Sequence, residues 1–286
     1  MTEEREKNAI IPGTLYLVAT PIGNLADISE RALKVLSGVD FIAAEDTRNT
    51  GLMLSRLGIS KPMVSYFEHN KTARGLMLAE RLRNMESCAL VTDAGTPAIS
   101  DPGEDIARLC HEKGIPVTSV PGCCAAIDAL ILSGLATRRF VFEGFLPPKG
   151  RERKEVLDDI ASEKRTVILY EAPHRLLKTL EELAEVSEPG RRISICRELT
   201  KLNEEVIMTT CKEAPAIYSE KSPRGEYVLV LEGRSGKDTE GAETADPVSL
   251  VAEFERDGMS RMEAIKAAAK AAGMKKNDLY MMVNKT

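Results

Sequence analysis

With 286 residues, 43% of them hydrophobic and 29% charged, and a formal net charge of −5, the chain has the composition of a globular protein able to bury a core in about two domains. The acidic balance excludes a uniformly basic nucleic-acid coat, although it permits a local patch. No apolar run approaches the ~20 residues that cross a bilayer, and Met1–Asn8 is charged and lacks a signal-peptide core. Six cysteines (Cys88, Cys110, Cys123, Cys124, Cys196, Cys211) show no C-x-x-C spacing and read as reduced, mostly buried thiols of a cytoplasmic protein.

In chain order, the first part alternates strand and helix signals. Gly13–Ala19, Val39–Ala44, Pro62–Tyr66, Ala89–Val91 and Pro116–Val120 read as strands, with helices at Ser29–Leu36, Arg48–Leu57, Thr72–Met85 and Glu104–His111. This alternation predicts parallel β-α-β units with helices covering the sheet. Pro121-Gly122 breaks the chain before a small-residue helix, Cys123–Leu132. From Arg139 the strand signals Phe140–Phe145, Thr166–Tyr170, Arg192–Cys196, Glu205–Thr210 and Tyr227–Glu232 outnumber two helices, Lys154–Ala161 and Arg175–Val186. That ratio predicts a mixed sheet. The expected organisation is an α/β domain over 12–120, a second over 121–233, an acidic flexible linker over 234–246 and a helical module over 247–286.

The module opens on Asp246-Pro247, an N-cap followed by proline at the first helical position, and Gly258 stops that helix. Ser260 and Glu263 form a capping-box pair for a second helix ending at Gly273, and Lys276–Val283 reads as a third. Three short helices joined by glycine turns suit a helix-turn-helix. Seven basic residues against five acidic ones leave two roles open, a cap packed on the body or a nucleic-acid contact.

Polar loops recur at strand ends, where open α/β sheets bind ligands. The longest, Thr92 to Gly103, carries Asp93-Ala94-Gly95-Thr96-Pro97 and Ser100-Asp101-Pro102-Gly103; its glycines allow close backbone approach and its prolines stiffen it. The first strand ends in Thr20-Pro21-Ile22-Gly23-Asn24 without a G-x-G-x-x-G, which disfavours a dinucleotide. At Glu45-Asp46-Thr47-Arg48, Glu45 and Arg48 read as site residues, whereas Asp46 is either a helix cap or a site carboxylate. His69, in a polar loop, is a candidate active-site residue, and the three histidines have no metal-ligand spacing, so no metal is expected. In Glu171-Ala172-Pro173-His174-Arg175, Glu171 and His174 can transfer protons and Arg175 can hold a phosphate; alternatively His174 is an N-cap and Arg175 a surface residue. Arg197-Glu198-Leu199-Thr200-Lys201 repeats the theme. Lys149, Arg151, Arg153 and Lys154 form a basic cluster, either a solvated face or a positive rim beside these loops. Five such loops would converge on one inter-domain cleft.

Taken together and in this order, the stretches 16–25, 44–48, 93–97, 100–103, 171–175 and 197–201 resemble the ribosomal-RNA 2′-O-ribose methyltransferases of the tetrapyrrole methylase superfamily. The resemblance spans about residues 12 to 233, and the C-terminal module is also similar. It implies a class III methyltransferase fold of two α/β domains with S-adenosylmethionine in the cleft between them, and a homodimer acting on cytidine 1402 of 16S RNA in the assembled small subunit. It assigns Pro21, Ile22, Gly23, Asp93, Ala94, Gly95, Pro121, Gly122 and Ala172 to the cofactor. Glu45, His69, Glu171 or Glu198 would serve as base, and Arg48, Lys149, Arg175, Arg197 and Lys201 would grip RNA phosphates. One departure is local: Cys123-Cys124 stands where the family commonly carries Pro-Ser, conserving small size but losing a hydroxyl. DNA is not an expected substrate, because it has no 2′-hydroxyl. A superfamily member acting on a small tetrapyrrole or a protein side chain, and a non-enzymatic ribosome-assembly binder, are the competing readings.

Overall fold

Four-residue aliphatic runs, too short for helices and flanked by turn residues, form a sheet buried on both faces. In the computed structural model, which describes residues 9–219, 222–235, 247–256, 258–271, 274 and 276–283, the chain opens with β1 (Leu15–Val18), α1 (Glu30–Gly38), β2 (Phe41–Ala44), α2 (Thr47–Arg56) and β3 (Met63–Ser65). It continues through α3 (Lys71–Arg83), β4 (Cys88–Val91), α4 (Glu104–Glu112) and β5 (Val117–Val120). All pairings are parallel, in the order β3-β2-β4-β1-β5. Alternate residues serve the two faces: Leu15, Phe41, Ala43 and Leu90 pack with Leu78, Leu82 and Ile106 of α3 and α4, while Tyr16, Val18, Ile42 and Val91 pack with Val35, Leu36 and Leu54 of α1 and α2. The guanidinium of Arg81 lies 3.4 Å from the centre of the Phe41 ring and pairs with Glu86, closing the bottom of this layer.

The second sheet follows α5 (Ala125–Leu132): β6 (Phe140–Phe145), α6 (Arg151–Ser162), β7 (Thr166–Glu171), α7 (Pro173–Val186), β8 (Arg192–Arg197), β9 (Glu205–Thr210), α8 (Ala214–Tyr218) and β10 (Tyr227–Leu231). Its order is β6-β7-β10-β8-β9, parallel only between β6 and β7, so it is mixed as expected. One face packs under α6 and α7 through Val167, Leu169, Leu229, Leu176 and Leu180. The other, with Ile168, Cys196, Val228 and Val230, packs against Ala126, Ala129 and Leu130 of α5.

Three local readings are corrected. Arg153 of the supposed basic rim turns inward: only 3% exposed, it pairs with Glu182 and donates to the Pro147 carbonyl at 2.9 Å and to Thr179 Oγ1 at 2.8 Å. His174 is not a cap, because α7 begins two residues earlier than the spacing suggested, with Ala172 at the N-cap and Pro173 inside the first turn. The five-residue α8 and a single 3-10 turn at Leu25–Asp27 were unpredicted, being too short to show a period.

The chain divides into two compact units at Ser235/Gly236. The second contains α9 (Pro247–Arg256), α10 (Arg261–Ala271) and α11 (Lys276–Val283) around Val251, Ala264, Ile265, Ala268 and Leu279. Gly258 takes a φ of +92° after α9, and Glu263 accepts from the Ser260 backbone N–H at 3.2 Å, half of the expected capping box. Met1–Asn8, most of the linker, the Asp246 cap and the Gly273 stop lie outside the described residues.

Leu229 sits at the centre of β10 with no exposed surface. Leu229→Ala is expected to cost about 2–5 kcal/mol of stability, read as a shift in the denaturant midpoint.

Candidate active site

In the parallel sheet the chain runs outward from β1 to β2 and β3 and then returns, placing β4 between β2 and β1. The carboxyl ends of β1 and β4 therefore flank the reversal point, where such sheets bind ligands. Their loops cross there. Thr20 N–H donates to the Gly95 carbonyl at 2.9 Å and Gly95 N–H returns a bond to the Thr20 carbonyl at 3.0 Å. Gly95 has a φ of +77°, a conformation that disfavours a side chain. After β5 the chain presses closer still: a Cβ on Gly122 would lie 2.9 Å from the Ala19 Cβ. Thr96 Oγ1 donates to the Cys123 carbonyl at 2.8 Å and joins this third loop to the second.

A cavity of about 390 Å³ lies between these loops and the second sheet, lined by Ile22, Asp93, Ala94, Gly95, Asp101 and Cys124 on one side and by Phe145, Tyr170, Glu171, Ala172 and Tyr227 on the other. This size suits a small organic molecule. Tyr170 builds the wall, with its ring edge-on to Phe142 at 5.0 Å and Phe145 at 5.6 Å. Its hydroxyl accepts from the Ala126 N–H at 3.2 Å, satisfying a free donor at the start of α5.

Glu171, on the opposite face of β7 from Tyr170, is the centre of a buried polar network. Its side chain has no exposed surface and pairs with Arg175 at 3.2 Å. Oε1 accepts from the Ala172 N–H at 2.8 Å and Oε2 from Thr179 Oγ1 at 2.5 Å. Thr179 in turn accepts from Arg153, and Arg175 Nη2 donates to the Leu146 carbonyl at 2.5 Å. The ends of β6 and β7 and the start of α7 are thereby joined through one carboxylate.

The opposite wall is acidic. Asp93 N–H donates to Glu45 Oε2 at 3.4 Å, and Asn49 Nδ2 donates to Asp93 Oδ2 at 3.0 Å. Burial raises the Glu45 carboxyl above its ordinary value, with the Asp93 and Asp46 charges adding to the effect and the Asp93 N–H opposing it. Asp101 is pushed up to about 7, first by burial and then by the Glu45 and Asp93 charges. Backbone strain collects nearby: Ala98 and Ser100 have φ values of +69° and +61°. In the loop after β8, Glu198 and Thr200 have +50° and +65°. Left-handed non-glycine residues are costly and cluster at functional sites.

Of the residues picked out in the sequence, Ile22, Asp93, Ala94, Gly95, Glu171 and Ala172 line the cavity. Pro21, Gly23, Pro121 and Gly122 lie in the loops that frame it, and a Cβ on Gly23 would overlap Lys201. Glu45 stands behind Asp93. Asp46 caps α2, accepting from the Arg48 N–H at 2.8 Å, and the Arg48 guanidinium holds its carboxyl down at about 2. Arg48 itself is 87% exposed, and Lys149 is also exposed. His69 is an exposed loop residue edge-on to Phe67, and His174 is exposed on α7. Arg197 donates to the Arg224 carbonyl at 3.0 Å. Lys201 pairs with Glu198 at 2.8 Å and Glu226 at 2.7 Å. Burial raises the Glu198 carboxyl, but the Lys201 ammonium and the Glu226 N–H outweigh it and leave it below its ordinary value.

The family model of tetrapyrrole (corrin/porphyrin) methylases matches residues 14–215. The chain belongs to the tetrapyrrole methylase family. It is 44% identical over 270 residues to ribosomal RNA small subunit methyltransferase I of Synechocystis sp., covering 94% of this chain and 97% of that one. To the protein of that name from Haemophilus influenzae it is 45% identical over 272 residues, with 94% and 96% covered. Among solved structures, a cobalt precorrin-4 methyltransferase aligns with a TM-score of 0.58 at 17% identity, over 77% of this chain and 95% of that one. A uroporphyrin-III C-methyltransferase of Thermus thermophilus gives 0.56 at 21%, over 77% and 94%. These two likenesses show the fold.

This tetrapyrrole methylase is an S-adenosylmethionine-dependent methyltransferase. The cavity fits that cofactor on its own chemistry. Crossed loops with glycines at the close approaches leave room for a ligand against backbone, aromatic side chains offer a face to a purine, and the acidic wall suits a cationic sulfonium.

Several lining residues escaped the sequence reading. Glu226 and Tyr227 lie at the start of a strand rather than its end; they reach the cavity because β10 runs antiparallel to β7 and β8. Tyr170 closes the strand signal Thr166–Tyr170 and carries no site role in the sequence reading. Asp101 lies in the Ser100–Gly103 stretch of the longest polar loop but has no role of its own in the sequence reading. Its only sequence signal was the density of polar residues in the longest loop.

Glu171→Gln removes the buried charge opposite Arg175 and is expected to lower stability by about 2–3 kcal/mol. Thermal melts with and without S-adenosylmethionine check this, and the variant should also lose part of the cofactor's stabilising effect.

Proposed function

We propose that the chain transfers the methyl group of S-adenosylmethionine to the ribose 2′-hydroxyl of cytidine 1402 in 16S ribosomal RNA of the small subunit. The observation that carries this reading is 41–45% identity to relatives named ribosomal RNA small subunit methyltransferase I, over 94% of this chain and more than nine-tenths of theirs. The target nucleotide and the 2′-oxygen follow from the motif resemblance in the loops after β1, β2, β4, β7 and β8. The same reading makes the enzyme a cytoplasmic homodimer that recognises RNA by the shape of the assembled particle.

The loops at 21–23, 93–95, 121–122 and 171–172 hold the cofactor, which supplies an already electrophilic methyl group. The protein's main task is then alignment of acceptor and donor. Arg48 and Lys149, both exposed, meet phosphates directly in this reading, Arg48 by exchanging its ion pair with Asp46. Arg175, Arg197 and Lys201 are engaged in internal hydrogen bonds and ion pairs, so they contribute by holding the loops that present the acceptor. A ribose hydroxyl is a weak nucleophile and gains from a base. The four sequence candidates differ in surroundings: Glu171 is saturated with donors, Glu198 is ion-paired, His69 is not among the cavity-lining residues, and Glu45 adjoins the cavity through Asp93.

Incubation of the enzyme and radiolabelled S-adenosylmethionine with small subunits lacking the modification is expected to place label in 16S RNA, mapping to one 2′-O-methylated cytidine. Cofactor binding without such label would assign another acceptor.

A further inference from the structure

The end of the second sheet away from the cofactor cavity carries an array of like charges. Three loops meet there: 133–139 before β6, 163–165 before β7 and 232–234 after β10. They are tied together. Thr166 Oγ1 donates to the Ala136 carbonyl at 2.6 Å, the Arg234 N–H donates to the Glu163 carbonyl at 2.7 Å, and a Cβ on Gly233 would overlap the Lys164 carbonyl. Between them lies a groove of about 820 Å³ lined by Arg138, Arg139, Lys164 and Arg165, with Glu163 and Glu232 as its acids. Strands β6 and β7 are parallel, with Phe140 in register with Thr166, so Arg138-Arg139 and Lys164-Arg165 enter the sheet side by side. Like charges on neighbouring strands repel one another.

Ion pairing does not neutralise the array. Glu163 is taken by Arg165 and Glu232 by Arg192, which comes from outside the groove; Glu143 of β6 also acts on Arg165. Arg138, Arg139 and Lys164 are exposed, and their side chains make no hydrogen bond or ion pair among the described residues. A further cation lies behind Glu232. Arg191, 3% exposed, donates to the Glu232 carbonyl at 2.6 Å and the Ile160 carbonyl at 2.9 Å, and its Nη2 has no acceptor. Salt screens a buried charge less than an exposed one. The groove is thus positive on a chain whose net charge is −5. It is also separate from the cofactor cavity. Strand β7 runs from Thr166 in the groove to Glu171 in the cavity, a span of about 17 Å at the usual rise per residue. That is roughly two screening lengths at physiological salt, so these charges do not tune the cofactor site.

We propose that this groove grips the phosphate backbone of the substrate RNA at a point remote from the methylated nucleotide. The inference rests on the ribosomal-RNA reading above. The cations are spread along two neighbouring loops instead of converging on one point, and the groove has about twice the volume of the cofactor cavity. Both features suit an extended polyanion better than a single small anion. A folded RNA presents continuous backbone over distances well beyond the length of β7, so one substrate can reach both sites. Phosphate contacts fix register and orientation without reading sequence. The groove therefore sets how the particle sits on the enzyme, while the loops around the cavity select the nucleotide. A local positive surface of this kind also lets an acidic chain attract RNA.

The test compares the full-length wild type with the triple variant Arg138→Gln/Arg139→Gln/Lys164→Gln. It reads label transfer to unmodified small subunits, binding to those particles across a salt series, cofactor Kd by calorimetry, and Tm. KM for the particle is expected to rise about ten-fold or more, with kcat and cofactor Kd within about two-fold of wild type. The slope of log affinity against log salt should become shallower by about two to three, through loss of one counterion-release step per contact. Tm should hold or rise, because the three side chains have no described partners and repel one another. The charge-preserving variant Arg138→Lys/Arg139→Lys/Lys164→Arg should keep most of the affinity. An unchanged particle KM and salt slope would overturn the proposal. So would lost binding to heparin with particle binding intact, which would make the groove a general anion surface. Wild type that binds particles through the groove but labels no RNA would sink the methylation reading and leave the contact standing. Label transfer by the triple variant at the wild-type KM removes the contact alone.

Discussion

A carboxylate with no exposed surface anchors the candidate active site. Glu171 receives hydrogen bonds from its neighbouring backbone and from Thr179, and it faces the Arg175 guanidinium; Arg153 and the Leu146 carbonyl extend the network to β6 and α6. Burying a charge is tolerable only when partners replace its water. Once they do, the group becomes hard to move, because displacing any member leaves another unsatisfied in a low-dielectric setting. The end of β7 is therefore rigid, and Tyr170, one residue earlier and on the opposite face, is held firmly as a cavity wall. The site's second wall has no such network. It is held by backbone pairing between loops, at Thr20 and Gly95, and by glycines at the closest approaches.

The two walls divide the chemistry. On the second sheet, positive and negative charges cancel within the protein. On the parallel sheet, Glu45, Asp93 and Asp101 crowd together, the neighbouring cation Arg48 being exposed and bound to Asp46, and burial raises Glu45 and Asp101. Like charges that disfavour one another within the protein become favourable beside a cationic methyl donor. Stability given up for function is a common bargain at active sites. The strained backbone at Ala98, Ser100, Glu198 and Thr200 follows the same logic.

Much of this architecture was legible in the amino-acid order, for identifiable reasons. Aliphatic runs such as Cys88–Val91 mark strands because only strands buried on both faces tolerate that continuity. The runs Phe140–Phe145 and Glu205–Thr210 match the observed strands residue for residue. Loops at the ends of β1, β4 and β7 carry cavity-lining residues that the strand-end rule pointed out. The rule failed where direction mattered. Glu226 and Tyr227 precede their strand, and nothing local announces that β10 runs against its neighbours. Charge was misleading too: Arg153 sits among exposed basic residues, yet its turn of α6 faces Glu182 and Thr179.

By itself the sequence determined the element types, the parallel first sheet and mixed second sheet, and the kinship of the loops with tetrapyrrole methylases. Those properties depend on periodicity, on turn residues and on motif order, all of which are local or additive along the chain. Tertiary structure alone decided which polar groups satisfy one another and which are left open. Glu171 and Asp101 are both strand-end or loop acids in sequence. Folding of its own strand-to-helix turn surrounds the first with donors, Ala172, Arg175 and Thr179, whereas packing of β2 beside β4 brings Glu45, distant in the chain, next to the second. That difference separates a carboxylate that ties the fold together from one left open to the cavity.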